Sequence, residues 1–169
     1  MKKKLQYKTK VALLPHFVGM HYIPVPKKII QALGRKFSCR LFCKVNKKVE
    51  FQCGIMALGK GAGYIMLSKK RMKELEVLAG SPIQVELKKD FSKYGMDVCE
   101  ELQEVLAQDS EATKRFDNLK PGKQRNIIHY VGSVKNQDKR IERALSIMEN
   151  LKLCTPNKET MLQLLGIKE

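Results

Sequence analysis

The sequence predicts an α+β protein. Residues 1–95 read as a small duplicated β-barrel with a pseudo-twofold axis and two short helices, and residues 96–169 as an all-α module. Three observations predict this. One segment is written twice, 42 positions apart: Tyr22–Leu33 matches Tyr64–Leu75 at Tyr, Ile, both Lys and the final Leu. Apolar residues alternate with a period of two through most of the first half, as in strands with one buried face. Near Tyr94-Gly95 the period turns helical, and the charge balance changes with it.

The barrel elements follow in chain order. Leu5 to Val18 and Tyr22 to Val25 supply strands, punctuated by Pro15, Gly19, Pro24 and Pro26. Phe37, Cys39, Leu41, Cys43 and Val45 alternate with Lys36, Ser38, Arg40, Phe42 and Lys44. Asn46-Lys47-Lys48 is a turn, and Val49, Phe51, Cys53 and Ile55 form the returning strand of a hairpin. Gly59-Lys60-Gly61-Ala62-Gly63 lacks the Gly-Lys-Ser/Thr ending of a phosphate loop and leads into a strand, so it reads as a turn joining the two repeats. Tyr64–Leu67 and Ile83–Leu87 are further strands. Leu41, Cys43 and Val45 line up with Ile83, Val85 and Leu87 at the same 42-residue offset, which extends the repeat.

Pro26 and Ser68 start short helices. Their apolar faces are Ile29, Ile30 and Leu33 in one and Met72 and Leu75 in the other, with Gly34 and Gly80 as helix-ending or turn residues. Neither copy buries its apolar face alone, so the two pack around a shared axis. A closed or split barrel removes the open edges that six or more short strands would otherwise present.

From Val98 the stripes recur at helical spacing. They are Leu102, Val105 and Leu106; then Ala112, Phe116 and Leu119 after an Asp109-Ser110 cap; then Ile127, Ile128 and Val131 after a break at Lys120-Pro121-Gly122. Asn136-Gln137-Asp138 caps a longer helix through Ile141, Ala144, Leu145, Met148 and Leu151. Thr155-Pro156 restarts a last helix with Met161, Leu162 and Leu165, closed by Gly166. The tail has four or five helices, which need tertiary support at these lengths.

The net charge of +16 lies entirely in the first half, where residues 1–95 hold 21 Lys and Arg against 5 Asp and Glu. Residues 96–169 hold 12 against 12. Such asymmetry points to a polyanionic partner, against the plainer account of solubility and a lysine-rich tail. No apolar run approaches the ~20 residues that cross a bilayer. Polar residues follow the basic start Met1-Lys2-Lys3-Lys4, so the expectation is a cytoplasmic protein with neither export signal nor membrane partner. Five cysteines without a Cys-x-x-C pair read as reduced thiols. Cys39, Cys43 and Cys53 share the inward parity without a histidine at ligand spacing, so no metal and no cofactor is expected. His16, His21 and His129 form no metal pair.

A family resemblance rests on specific stretches. Ile23-Pro24-Val25-Pro26 with Leu33-Gly34, Val45-Asn46 and Phe51, Leu58-Gly59-Lys60-Gly61, Tyr64–Lys70 and Gly80–Asp90 resemble the N-terminal domain of unknown function in the bacterial YdeI/OmpD-associated, or bacteriocin-protection, family. Glu101-Leu102, Phe116-Asp117-Asn118-Leu119, Lys135, Arg140 and Arg143 resemble its helical C-terminal domain. Tyr130, Lys139 and Ser81 depart from that pattern. The resemblance implies a double-split β-barrel, related in form to AbrB-like swapped-hairpin barrels, with a helical module after it. The family's name implies a stress or bacteriocin-tolerance setting, and no catalytic residue carries over.

The strongest candidate site is Lys27, Lys28, Lys69, Lys70 and Arg71 at two helix starts. Cations there oppose the helix dipole, and a bound phosphate would reverse that penalty. In AbrB-like DNA-binding proteins two chains supply the two halves. Here one chain supplies both, which implies a monomer with internal pseudo-symmetry that binds nucleic acid or another polyanion through phosphates. The plainer alternative is a solvated basic face. A second candidate is a basic groove in the helical half, formed by Arg125, Lys135, Arg140 and Arg143 near His129, for a small anion or an acidic peptide. Its alternative is a helix surface with ordinary charges. There is no nucleophile elbow, His-Glu-x-x-His or Walker motif, and Glu100, Glu101 and Glu104 read as a solvated face. The expectation is a binding protein rather than an enzyme.

Overall fold

The computed structural model describes residues 4–14, 19–34 and 37–167. His16, Lys36 and the Pro15–Val18 end of the expected first strands lie outside the described residues, as do Met1 to Lys3. The chain divides into two compact units, Met1–Gly95 and Met96–Glu169.

The first unit runs β1 (Leu5–Lys10), β2 (Ala12–Leu13), β3 (His21–Val25), α1 (Lys27–Ala32), β4 (Arg40–Val45), β5 (Val49–Gly54), β6 (Met56–Gly59), β7 (Ala62–Leu67), α2 (Lys69–Leu75) and β8 (Pro82–Lys89). Its described strands form two four-stranded antiparallel sheets, ordered β1-β8-β4-β5 and β2-β3-β7-β6. They do not close into one continuous ring, so the closed form of the expected barrel is not what forms. Both inner faces feed one core. Ile23, Leu41, Cys43, Val45, Ile65 and Val85 are wholly buried there, with Ile29, Ile30, Met72 and Leu75 of the two helices packed in.

The strand register carries the duplication. In the β3–β7 ladder Ile23 faces Ile65, Tyr22 faces Met66 and Pro24 faces Tyr64. Exchanging each residue for its copy 42 positions away returns the same pairs. The β4–β8 ladder behaves alike: Lys44 faces Glu86, and Cys43 and Val45 face Leu87 and Val85. The outer strands also correspond. Tyr7 faces Val85 on one edge as Phe51 faces Cys43 on the other, and Ala12 faces Tyr22 as Met56 faces Tyr64. Tyr7 and Phe51 are 44 positions apart rather than 42, because the paired Ala12 and Tyr22 are ten positions apart along the chain and the paired Met56 and Tyr64 eight. The repeat therefore comprises four strands and a helix, and each sheet's order reads the same after the exchange.

Several local readings change. Strand β4 begins at Arg40, and Phe37-Ser38 belong to the turn before it. Strand β6 is an element that the sequence pattern did not disclose. All four of its residues are exposed, so no alternation marks it. The Gly59–Gly63 turn consequently lies inside the second repeat, between β6 and β7. The junction between repeats is Asn46-Lys47, both left-handed (φ 50° and 57°), where Asn46 accepts through Oδ1 from the Gln84 backbone N–H. Helix α2 ends at a left-handed Glu76, and Gly80 is a turn residue beyond it.

The second unit comprises α3 (Glu100–Gln108), α4 (Ser110–Asp117), α5 (Pro121–Gly132), α6 (Gln137–Leu153) and α7 (Met161–Leu164). Asp109 and Asn136 cap α4 and α6 by accepting from the Ala112 and Lys139 backbone N–H groups. The expected break falls at residues 118–120, and Pro121-Gly122 form the first turn of α5, where proline's missing N–H costs nothing. The last helix starts later than Thr155-Pro156. Thr160 caps it and Gln163 closes a capping box, leaving Leu164 buried and Leu162 exposed. Helix α6 is the centre of the unit and packs against the other four helices. Leu102, Ala112, Phe116, Ile127, Val131, Ala144 and Leu151 are wholly buried.

Candidate functional site

The lysines of the first unit sit where each sheet strand gives way to a helix. Pro26 and Ser68 hold equivalent cap positions, and Ser68 accepts from the Arg71 backbone N–H. Lys27 and Lys28, and their copies Lys69 and Lys70, are exposed. Helices α1 and α2 have only 6 and 7 residues. Fewer than two turns sum few peptide dipoles, so the dipole argument is weaker than the sequence implied.

A second geometry replaces it. A methyl group placed on Gly61 would stand 3.4 Å from the Cγ, Cδ and Cε of Lys27. One placed on Gly19 would stand 3.8 Å from the Cε and Nζ of Lys69. Gly19 and Gly61 are copies, both left-handed (φ 75° and 79°), so each repeat's lysine stem crosses a glycine of the other repeat. The two stations lie at opposite ends of the β3–β7 ladder, ~20 Å apart by strand rise.

Arg71 does not join them. Its guanidinium lies 4.0 Å over the Phe51 ring, a cation–π contact on the sheet wall. Among the described residues Lys70 makes a long exposed pair with Glu74 at 3.9 Å. Between the stations lies a feature that the sequence reading passed over. Tyr22 and Tyr64 occupy outward positions of β3 and β7, with ring centroids 5.5 Å apart and planes at 69°. The signal was available: Tyr is identical in both copies yet falls at the outward parity, where core packing does not require it.

The second candidate set in the helical unit does not make an open basic groove. Arg140 is consumed by its own unit. It donates to the Val134 and Lys135 carbonyls and pairs with Glu101 at 3.2 Å. Arg143 donates to the Tyr130 carbonyl at 2.8 Å and stacks 4.2 Å over the Tyr130 ring. Lys135 and His129 are exposed, and Arg125 is half-buried. Glu101 is not part of a solvated face but buried. Its own backbone N–H, with Arg140 beside it, holds its carboxyl below the usual range.

Sequence reasoning also missed Glu159, which is 7% exposed. It accepts from the Asn157 N–H at 2.9 Å and pairs with Lys123 at 3.2 Å and Arg115 at 3.9 Å. Such a buried carboxylate joins the C-terminal segment to α4 and α5, and is structural.

Cys43 and Cys53 are buried, while Cys39 is half-buried. Among the described residues no group of three or more His, Cys, Asp or Glu is placed to hold a metal. No described helix is long and apolar enough to cross a membrane.

Comparison with known proteins places each unit. Residues 8–87 match the family model of a domain of unknown function, DUF1905. Residues 96–153 match the model described as bacteriocin-protection, YdeI or OmpD-associated. No curated protein matches the chain.

Proposed function

The chain belongs to the YdeI/OmpD-associated family, with a DUF1905 domain ahead of its helical domain, and from that premise we propose a non-catalytic binding protein whose basic half engages nucleic acid or another polyanion through backbone phosphates. The observation that carries the reading is the pair of twofold-related lysine stations, Lys27-Lys28 and Lys69-Lys70, each laid across a glycine of the opposite repeat. At 3.4 Å per nucleotide, ~20 Å spans about six phosphates of one strand. The excess of +16 in residues 1–95 supplies the attraction. We read the two sheets as the halves of a double-split, AbrB-like β-barrel, since both central ladders keep their register under exchange. One chain then supplies both halves, so a monomer suffices. Five cysteines without a Cys-x-x-C pair agree with a reducing cytoplasm.

The test is binding to duplex DNA across salt concentrations. Contacts with roughly six phosphates give a log–log slope of about −5. Replacing Lys27 and Lys69 together by Ala should reduce its magnitude by about 2, at ~0.9 per lost contact. Lys139→Ala, in the helical unit, should leave it unchanged. A salt-independent signal, no binding at low salt, or a slope indifferent to Lys27 and Lys69 would refute the proposal.

A further inference from the structure

Helix α6 carries more apolar surface than its core requires. Ala144, Ile147, Met148 and Leu151 are buried to 1% exposure or less and complete the packing of the helical unit. Ile141 and Leu145, one turn apart on the same helix, remain 38% and 50% exposed. They flank an open groove of about 570 Å³ between α6 and α3, floored also by Val105. That volume falls within the ~300–1,000 Å³ of ligand-sized clefts.

The groove's rim is acidic. Glu100, Glu101 and Glu104 line it from α3. Glu101 is neutralised by Arg140 at 3.2 Å. Glu100 and Glu104 are exposed and pair with no cation among the described residues. Glu100 has the start of α3 to favour it, whereas Glu104 stands one turn further on, where like charges at i and i+4 repel. An aliphatic pair at helical spacing beside two uncompensated carboxylates is the complement of one particular surface.

We propose that this groove docks a basic amphipathic helix, with leucine-like side chains at i and i+3 or i+4 on one face and Lys or Arg on its flanks. The apolar anchors cover Val105, Ile141 and Leu145, and the flanking cations meet Glu100 and Glu104. The rest of the chain is strongly basic, so its field opposes such a partner at long range. Screening over ~8–10 Å at physiological salt leaves the local rim to decide the contact. This surface is independent of the polyanion reading, which concerns the other unit.

The probe is a fluorescein-labelled peptide of about 14 residues, four helical turns, with leucines at i, i+3, i+4 and i+7 and lysines elsewhere. A second peptide has the same composition, with its leucines spread around the helix. Fluorescence anisotropy is read against the full chain. The first peptide should bind saturably, and the second at least about tenfold more weakly. Leu145→Ser and Glu104→Lys should each weaken the first by about tenfold or more while leaving the melting temperature in place, both side chains being exposed. Absence of binding, equal binding of the two peptides, or binding indifferent to both substitutions overturns the proposal. So does a dimer of the chain that Leu145→Ser dissolves, since a second copy would then occupy the groove.

Discussion

Ile23 stands directly opposite Ile65 in the β3–β7 ladder, and each is the other's copy in the sequence repeat. A residue that pairs with its own copy lies on the axis relating the copies. Lys44 and Glu86 mark the same axis in the other sheet, with opposite charges set face to face. The symmetry therefore runs through both sheets and is not a local likeness of two hairpins.

Equivalence of the two isoleucines is measurable. Both are wholly buried. Ile23→Ala and Ile65→Ala should each cost about 2–5 kcal/mol, by lost transfer energy and a cavity. The two costs should agree closely, and the double variant should depart from their sum because the residues touch. Urea unfolding checks this, and widely different single costs would count against a functional axis in the core.

Tyr7 carries a buried hydroxyl with no hydrogen-bond partner among the described residues. Tyr7→Phe should leave the fold intact and raise stability by about 1 kcal/mol, the penalty of an unmatched hydroxyl. Burial, with the Cys43 and Cys53 thiols nearby, pushes the Tyr7 phenol above its ordinary value. Its contribution is thus intact below about pH 10 and lost as pH rises further, because the unfolded phenol ionises first. Ultraviolet titration should show one of the five tyrosines silent until the chain unfolds. Full titration of all five with the fold still present would contradict this.

Glu159→Gln should destabilise the helical unit by ~2–3 kcal/mol. That is less than the 3–5 of a fully buried pair, since Lys123 and Arg115 still reach solvent. Thermal unfolding followed by circular dichroism reads the change. An unaltered melting temperature would remove Glu159 as the anchor of the C-terminal segment.

Acid should loosen the same unit. Burial tends to raise the Glu159 carboxyl, but the Glu159 and Asn157 N–H groups and Lys123 outweigh it and hold it low. The Ala112 N–H and then Lys152 lower Asp109, and Glu101 is lowered by its own backbone N–H and Arg140. Groups lowered in the fold add stability above the ordinary carboxylate range. That stability is lost as pH falls below about 4 through their folded values. Helical ellipticity at pH 7, 4 and 3 measures it, and Arg140→Ala should weaken the dependence. A signal flat to pH 3 at elevated temperature would contradict it.

The α+β division and the repeat are legible in the residues alone. Both are local or periodic: Leu41, Cys43 and Val45 alternate because strands do, and Ala144, Met148 and Leu151 recur because helices do. Strand β6 escaped because four exposed residues show no alternation. Packing of the folded chain sets Ile23 against Ile65, lays Lys27 across Gly61 and Lys69 across Gly19, and commits Arg140 to Glu101. Each of these contacts joins residues 34 to 50 positions apart, and no spacing rule encodes such pairs. Exposure was equally invisible: Leu145 and Met148 have the same aliphatic character along α6, yet one faces solvent and the other the core, because the neighbouring helices cover only one side.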